Sequence, residues 1–77
     1  MILDKIKEIV KDILEIEPEE VQLSSRLSED FDADSLDKIQ IVMAIEDAFN
    51  IKVDDEDVKN INTIQDAVNY IEKKSNN

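Results

Sequence analysis

The sequence predicts an all-α fold, a small bundle of three longer helices plus one short helix, with a long loop between helices 1 and 2. Three observations predict it. Apolar residues recur at three- and four-residue steps in separate windows, the spacing that gathers them on one face of a helix. No window alternates apolar and polar residues as a half-buried strand does, and Ile51-Lys52-Val53 is too short to seed a sheet. The chain has 77 residues with no repeat, low-complexity stretch or linker, so residues 1–77 form a single domain.

The first helix is predicted over about residues 2–15 from the stripe Ile2, Leu3, Ile6, Ile9, Val10, Ile13 and Leu14. Pro18 disfavours helical geometry at Glu17 and stops it. Residues 16–33 lack sustained periodicity yet keep Val21, Leu23, Leu27 and Phe31. Four large apolar side chains anchor a connection to the core, so this long loop is expected to be ordered, with one short helical turn near Glu19–Val21. The second helix is predicted over 35–49, with Asp34 as N-cap and Asp37 adding negative charge to the first turn. Its apolar face comprises Leu36, Ile39, Val42, Met43, Ala44, Ile45 and Phe49. Asp54 or Asp55 caps a short third helix over 55–60, with Val58 and Ile61 facing inward. Thr63, with Asp66 three residues on, opens a fourth helix over 64–73 whose stripe is Ile64, Ala67, Val68 and Ile71. The Ser75-Asn76-Asn77 tail is expected to fray. With no glycine in the chain, Asn50, Asn60 and Asn62 are expected at the left-handed, helix-terminating positions.

Composition limits the chemistry. A domain this small buries only roughly 60% of its unfolded surface, so modest stability is expected. The absence of cysteine and histidine excludes a disulfide, a Cys/His zinc site, a Ser-His-Asp triad and a Cys-His dyad within the chain. A Ser-Lys pair remains formally possible, but no two opposed environments would tune it, and no enzymatic activity is expected. The net charge is −11. Nucleic acid and anionic membranes share that sign and are poor partners, whereas a basic protein surface is a good one. The charge is also concentrated: residues 29–57 hold 11 acids and 2 bases, net −9, against 9 acids and 7 bases, net −2, elsewhere. That segment reads as a docking face. The opening MILDKIKEIV is broken by Asp4, Lys5, Lys7 and Glu8, which leaves no apolar targeting segment, and nothing approaches a membrane span. The cytoplasm is the expected compartment.

Chemistry concentrates in Asp30-Phe31-Asp32-Ala33-Asp34-Ser35-Leu36-Asp37. Asp30, Asp32 and Asp34 match the opening of a calcium loop, but the glycine and bidentate glutamate such a loop needs at its sixth and twelfth positions are Ser35 and Ile41 here. No specific metal site is expected. Ser35 stands at a helix N-terminus, where unpaired N–H groups and the positive dipole end favour an attached phosphodiester. By position alone, a plain capping role for Ser35 is the commoner outcome.

DADSLD followed by KIQIVMAIEDAF resembles the attachment-site helix of acyl carrier proteins, in particular the discrete carriers of dissociated fatty-acid synthesis. The resemblance covers essentially the whole chain, down to a last helix containing DAVNYI. It implies that Ser35 carries a 4′-phosphopantetheine arm whose terminal thiol holds acyl groups as thioesters, a thiol the cysteine-free chain must borrow. Asp34 would help place the magnesium ion used when a phosphopantetheinyl transferase installs the arm. Asp34, Asp37, Glu46 and Asp47 match acidic docking positions, with Leu36, Ile39 and Met43 as apolar contacts between them, for acyl transferases and ketoacyl synthases with basic patches. Phe49, Val53, Ile61 and Ala67 would shelter the acyl chain. A monomer suits such a shuttle. The alternatives are a carrier for polyketide, D-alanyl or lipid A assembly, or an unmodified acidic helical interaction module. Three residues depart from the family pattern: Asp32 where glycine is usual, Gln40 in place of a docking acid, and Lys59 near the acidic third helix.

Overall fold

The structure, a computed structural model, describes residues 2–75. Helix α1 spans Ile2–Leu14, a 3-10 turn spans Pro18–Glu20, and α2, α3 and α4 span Ser35–Phe49, Asp55–Val58 and Ile64–Ser75. The described residues form no strand; a lone antiparallel bridge joins Arg26 and Thr63. The fold is the expected all-helical bundle. Its α1 packs against α2 and, less extensively, against α4.

α1 buries Ile6, Ile9 and Val10, the centre of its apolar stripe. It stops one residue before 15 because Glu15 turns left-handed, at φ 59°, while its N–H still donates to the Lys11 carbonyl at 2.9 Å. The reversal returns Ile16 to the core. Ahead of Pro18, Glu17 is extended at φ −66°, ψ 142°, as the residue before a proline must be, and the expected short turn follows at Pro18–Glu20.

The long connection is ordered through burial and hydrogen bonds together. Val21 and Leu27 are buried and Phe31 half-buried, but Leu23, expected among the anchors, is exposed. Arg26 organises the segment that follows. Its backbone N–H donates to Asp30 Oδ2 at 2.8 Å, and its guanidinium pairs with Glu29 at 2.8 Å and Asp30 at 3.3 Å. The loop is also sewn to the α3–α4 junction. The Leu27 N–H donates to the Asn62 carbonyl at 2.9 Å, and the Ile64 and Gln65 N–H groups donate to Ser25 and Leu23 at 3.0 and 2.9 Å. A segment without secondary structure thereby satisfies its backbone groups across the fold.

α2 ends at Asn50, left-handed at φ 53°, as expected. Asn60 and Asn62 are not left-handed; Glu15 and Asp32 take the other positive-φ positions. The reason for Asn60 is that α3 stops at Val58, two residues short of 60, and Lys59 continues in a right-handed turn. Asp54 is the N-cap of α3, without a side-chain capping bond. α4 runs two residues past 73, to Ser75; Asn76 and Asn77 lie outside the described residues.

The start of α4 is a reciprocal cap. Thr63 Oγ1 accepts from the Asp66 N–H at 3.0 Å, while Asp66 Oδ2 accepts from the Thr63 and Asn62 N–H groups at 3.1 and 3.0 Å. Those donors, Asn62 foremost, hold the Asp66 carboxyl below its ordinary 3.8. A depressed pKa stabilises the fold above the unfolded value, and that contribution disappears as pH falls through the folded value. Asp66→Ala is therefore expected to cost about 1 kcal/mol at pH 7 and distinctly less at pH 3, read by urea unfolding at both. An equal loss at the two pH values would contradict the charged cap.

Candidate functional site

The N-terminus of α2 is built by two aspartates. Asp34 is extended, at φ −88°, ψ −176°, and its Oδ1 accepts from the Asp37 N–H at 2.8 Å. In return Asp37 Oδ2 accepts from the Asp34 N–H at 3.3 Å. This closed box takes over the capping role, so Ser35 is the first helical residue and not the cap, with its side chain exposed to solvent. Of the first-turn amides, those of Ser35 and Leu36 have no partner within the helix. A hydroxyl open to solvent, two unengaged N–H groups and the positive end of a fifteen-residue helix fit a phosphodiester on the Ser35 Oγ.

The chain entering this turn is held firmly. Ala33 is buried, and its N–H donates to the Leu27 carbonyl at 3.0 Å. Just before it, Asp32 sits in the left-handed region at φ 59°. Glycine reaches that region without steric cost, whereas an L-residue with a Cβ does not. Asp32→Gly is expected to raise stability by roughly 0.5 kcal/mol and Asp32→Val to lower it by about 1–2 kcal/mol. Urea unfolding of both variants checks this, and equal effects of Gly and Val would show that φ is not the cause.

The three aspartates of the calcium-loop reading do not converge. Asp30 is bound to Arg26, whose backbone N–H and then side chain hold its carboxyl below the ordinary range, while Asp34 closes the helix cap. Among the described residues no group of three or more acidic, cysteine or histidine side chains is placed to hold a metal ion.

α2 does not present one apolar face. Ile41, Val42 and Ile45 are buried, whereas Leu36, Ile39 and Met43 are 63%, 48% and 59% exposed. The exposed three fall at steps of three and four along the helix, a single row on its solvent side. Ile41, absent from the face read off the sequence, belongs to the core. Asp34 and Asp47 are exposed beside the row. Glu46 is otherwise engaged: it is half-buried, and its Oε2 accepts from the Val53 N–H at 2.8 Å, clamping the α2–α3 connection.

Among the described residues, Phe49, Val53, Ile61 and Ala67 do not line a common cavity. Val53 joins Ile39, Val42, Met43 and Val58 around a space of about 310 Å³ between α2 and α3. Ile61 borders a separate depression of about 380 Å³ between α3 and α4. There the Tyr70 hydroxyl donates to Asp57 Oδ2 at 2.7 Å, and burial followed by that bond pushes it up to about 12. Phe49 is half-buried beside Ile2 and Lys5, and Ala67 is a core residue. Sequence reasoning missed Val42 and Val58 as lining residues, though the step from Ile39 to Val42 and Met43 carried the signal. It also missed Lys38, whose Nζ donates to Asn62 Oδ1 at 3.2 Å across 24 residues of chain.

The chain is similar to known proteins over most of its length. The family described as "Phosphopantetheine attachment site" matches residues 4–71. The chain is 49% identical over 71 residues to a protein named "Acyl carrier protein" from Wolinella succinogenes, covering 92% of this chain and 93% of that one. It is 40% identical over 73 residues to another of that name from Thermosynechococcus vestitus, covering 95% and 90%.

Proposed function

The chain belongs to the acyl carrier protein family, whose cofactor is a covalent 4′-phosphopantetheine, and on that premise we propose that Ser35 is its attachment point and that the protein shuttles acyl groups among the enzymes of fatty-acid biosynthesis. One observation carries the assignment of Ser35. Asp34 and Asp37 cap α2 between themselves, so the serine hydroxyl is free of the structural task that most serines at such positions perform. When bound, the arm supplies a thiol that carries acyl groups as thioesters. Everything else the residues do is binding and orientation, and on this reading the protein is a carrier rather than an enzyme, working in the cytoplasm.

The exposed row Leu36, Ile39 and Met43, bordered by Asp34, Asp37 and Asp47, supports docking of proteins with basic patches and an apolar centre. A phosphopantetheinyl transferase, acyl transferases and ketoacyl synthases are the expected visitors. Charge complementarity of this kind mainly speeds and orients encounter, which suits brief visits. Glu46 contributes through the Val53 clamp more than through free charge. For the acyl chain, the space between α2 and α3 is the best-suited shelter, since its rim is the docking row and its wall includes Val42, Val53 and Val58. Burial there is worth roughly 0.8 kcal/mol per methylene.

Intact mass tests the attachment. Co-expression with a phosphopantetheinyl transferase is expected to add the mass of one arm, on the peptide containing Ser35, and an unchanged mass would overturn the proposal. Offering the loaded protein to acyltransferases of fatty-acid, polyketide, D-alanyl and lipid A assembly then identifies the pathway.

A further inference from the structure

Lys38 is the only basic residue between Arg26 and Lys52, in the most acidic stretch of the chain. It is half-buried, yet it enters none of the ion pairs among the described residues; its Nζ rests on the neutral amide oxygen of Asn62 at 3.2 Å. Burial lowers its pKa, which the nearby Asp66 carboxylate partly offsets. Lys38 also lies one helical turn after Ser35. Residues three apart on a helix have Cβ atoms about 5–6 Å from each other, and long helical side chains lean towards the N-terminus. The Lys38 stem therefore starts within side-chain reach of the turn that Ser35 opens.

A phosphodiester on Ser35 would add a negative charge beside Asp34 and Asp37, whose carboxylates already face the first turn. Repulsion from both would strain the attachment unless a cation is at hand. An anionic oxygen is also the better acceptor, since hydrogen bonds between charged partners are roughly twice as strong as those to neutral ones. We propose that Lys38 is the positioning counter-charge of the arm: its ammonium, held by Asn62 in the bare protein, turns to the phosphodiester on Ser35 and releases the contact between α2 and the α3–α4 junction. The inference rests on the reading of Ser35 above and goes beyond it, since it assigns a task to a residue outside the attachment turn.

The experiment uses isotope-labelled full-length protein, bare and loaded, with loading verified by intact mass. The expected result is that the Lys38 ε-methylene and Asn62 side-chain amide signals both move on loading. The phosphorus resonance of loaded Lys38→Gln should differ from that of wild type, and Lys38→Arg should restore it. Because Lys38→Gln also loses the Asn62 contact of the bare form, stability is read as loaded minus bare, which reports the phosphodiester contact in excess of the Asn62 one. That difference in melting temperature should fall by roughly 2–4 °C in Lys38→Gln, the size expected when an exposed ion pair is lost from a domain of this length. Lys38 and Asn62 signals that stay put when the wild type is loaded would overturn the counter-charge role while leaving Ser35 as the attachment point. A wild type that takes no arm would overturn both.

Discussion

Ser35→Ala is expected to take up no arm at all while melting within about 2 °C of the wild type, because chemistry and stability are separated at this turn. The hydroxyl is the only atom of the side chain that could form the phosphodiester, and alanine removes it. Nothing structural goes with it. The cap bond to the Asp37 N–H comes from Asp34, and Asp37 returns the bond to the Asp34 N–H. Alanine is also the best helix former at an exposed helical position. Mass spectrometry after exposure to transferase and coenzyme A reads the first effect, and a thermal melt reads the second. Uptake of an arm by Ser35→Ala would move the site elsewhere. A large fall in melting temperature would mean that Ser35 had a structural role after all.

The largest effect on stability is expected at Ile6. It is 0% exposed, at the centre of the α1 stripe that packs against α2. Truncating a buried isoleucine to alanine costs about 2–5 kcal/mol, the lost burial plus the cavity left behind. At roughly 0.05–0.15 kcal/mol per residue the whole domain is stable by only about 4–12 kcal/mol. Ile6→Ala should therefore remove a large share of the stability and populate the unfolded state under mild urea. Met43→Ala is the matched control. It removes a side chain of similar size from the exposed row and should change stability by less than about 0.5 kcal/mol. Similar losses at the two positions would mean that Met43 is packed like a core residue, and the proposed docking row would lose its centre.

Much of the fold was legible because its signals are local. The stripe from Ile2 to Leu14, the arrest near Pro18, the cap at Asp34 and the Thr63–Asp66 box are statements about residues three or four apart, and each is realised in the helices. The errors at helix ends share a cause. Asparagine is the ordinary substitute for glycine in a left-handed turn, and Asn50 obeys; Glu15 and Asp32 are driven there by the path the chain must follow, against their own preference. α3 is short: its capping side chain makes no bond, and Val58 is its one apolar residue packed against the core.

The sequence by itself determined the order of the helices, Asp34 as the cap of α2, the acidity of the segment around it and the family to which the chain belongs. These depend on chain neighbours and composition, which are written in the residues. Tertiary structure alone decided which apolar residues of α2 go inside, since Ile41 and Met43 are equally apolar and differ only in what stands opposite them. It also separated Phe49 and Ile61 from the space beside Val53, turned the Glu46 carboxylate onto the Val53 N–H, and brought Asn62 to Lys38. Each of these is a meeting of segments distant in the chain or folded back across a turn, and burial and hydrogen bonding between them exist only once the helices have packed.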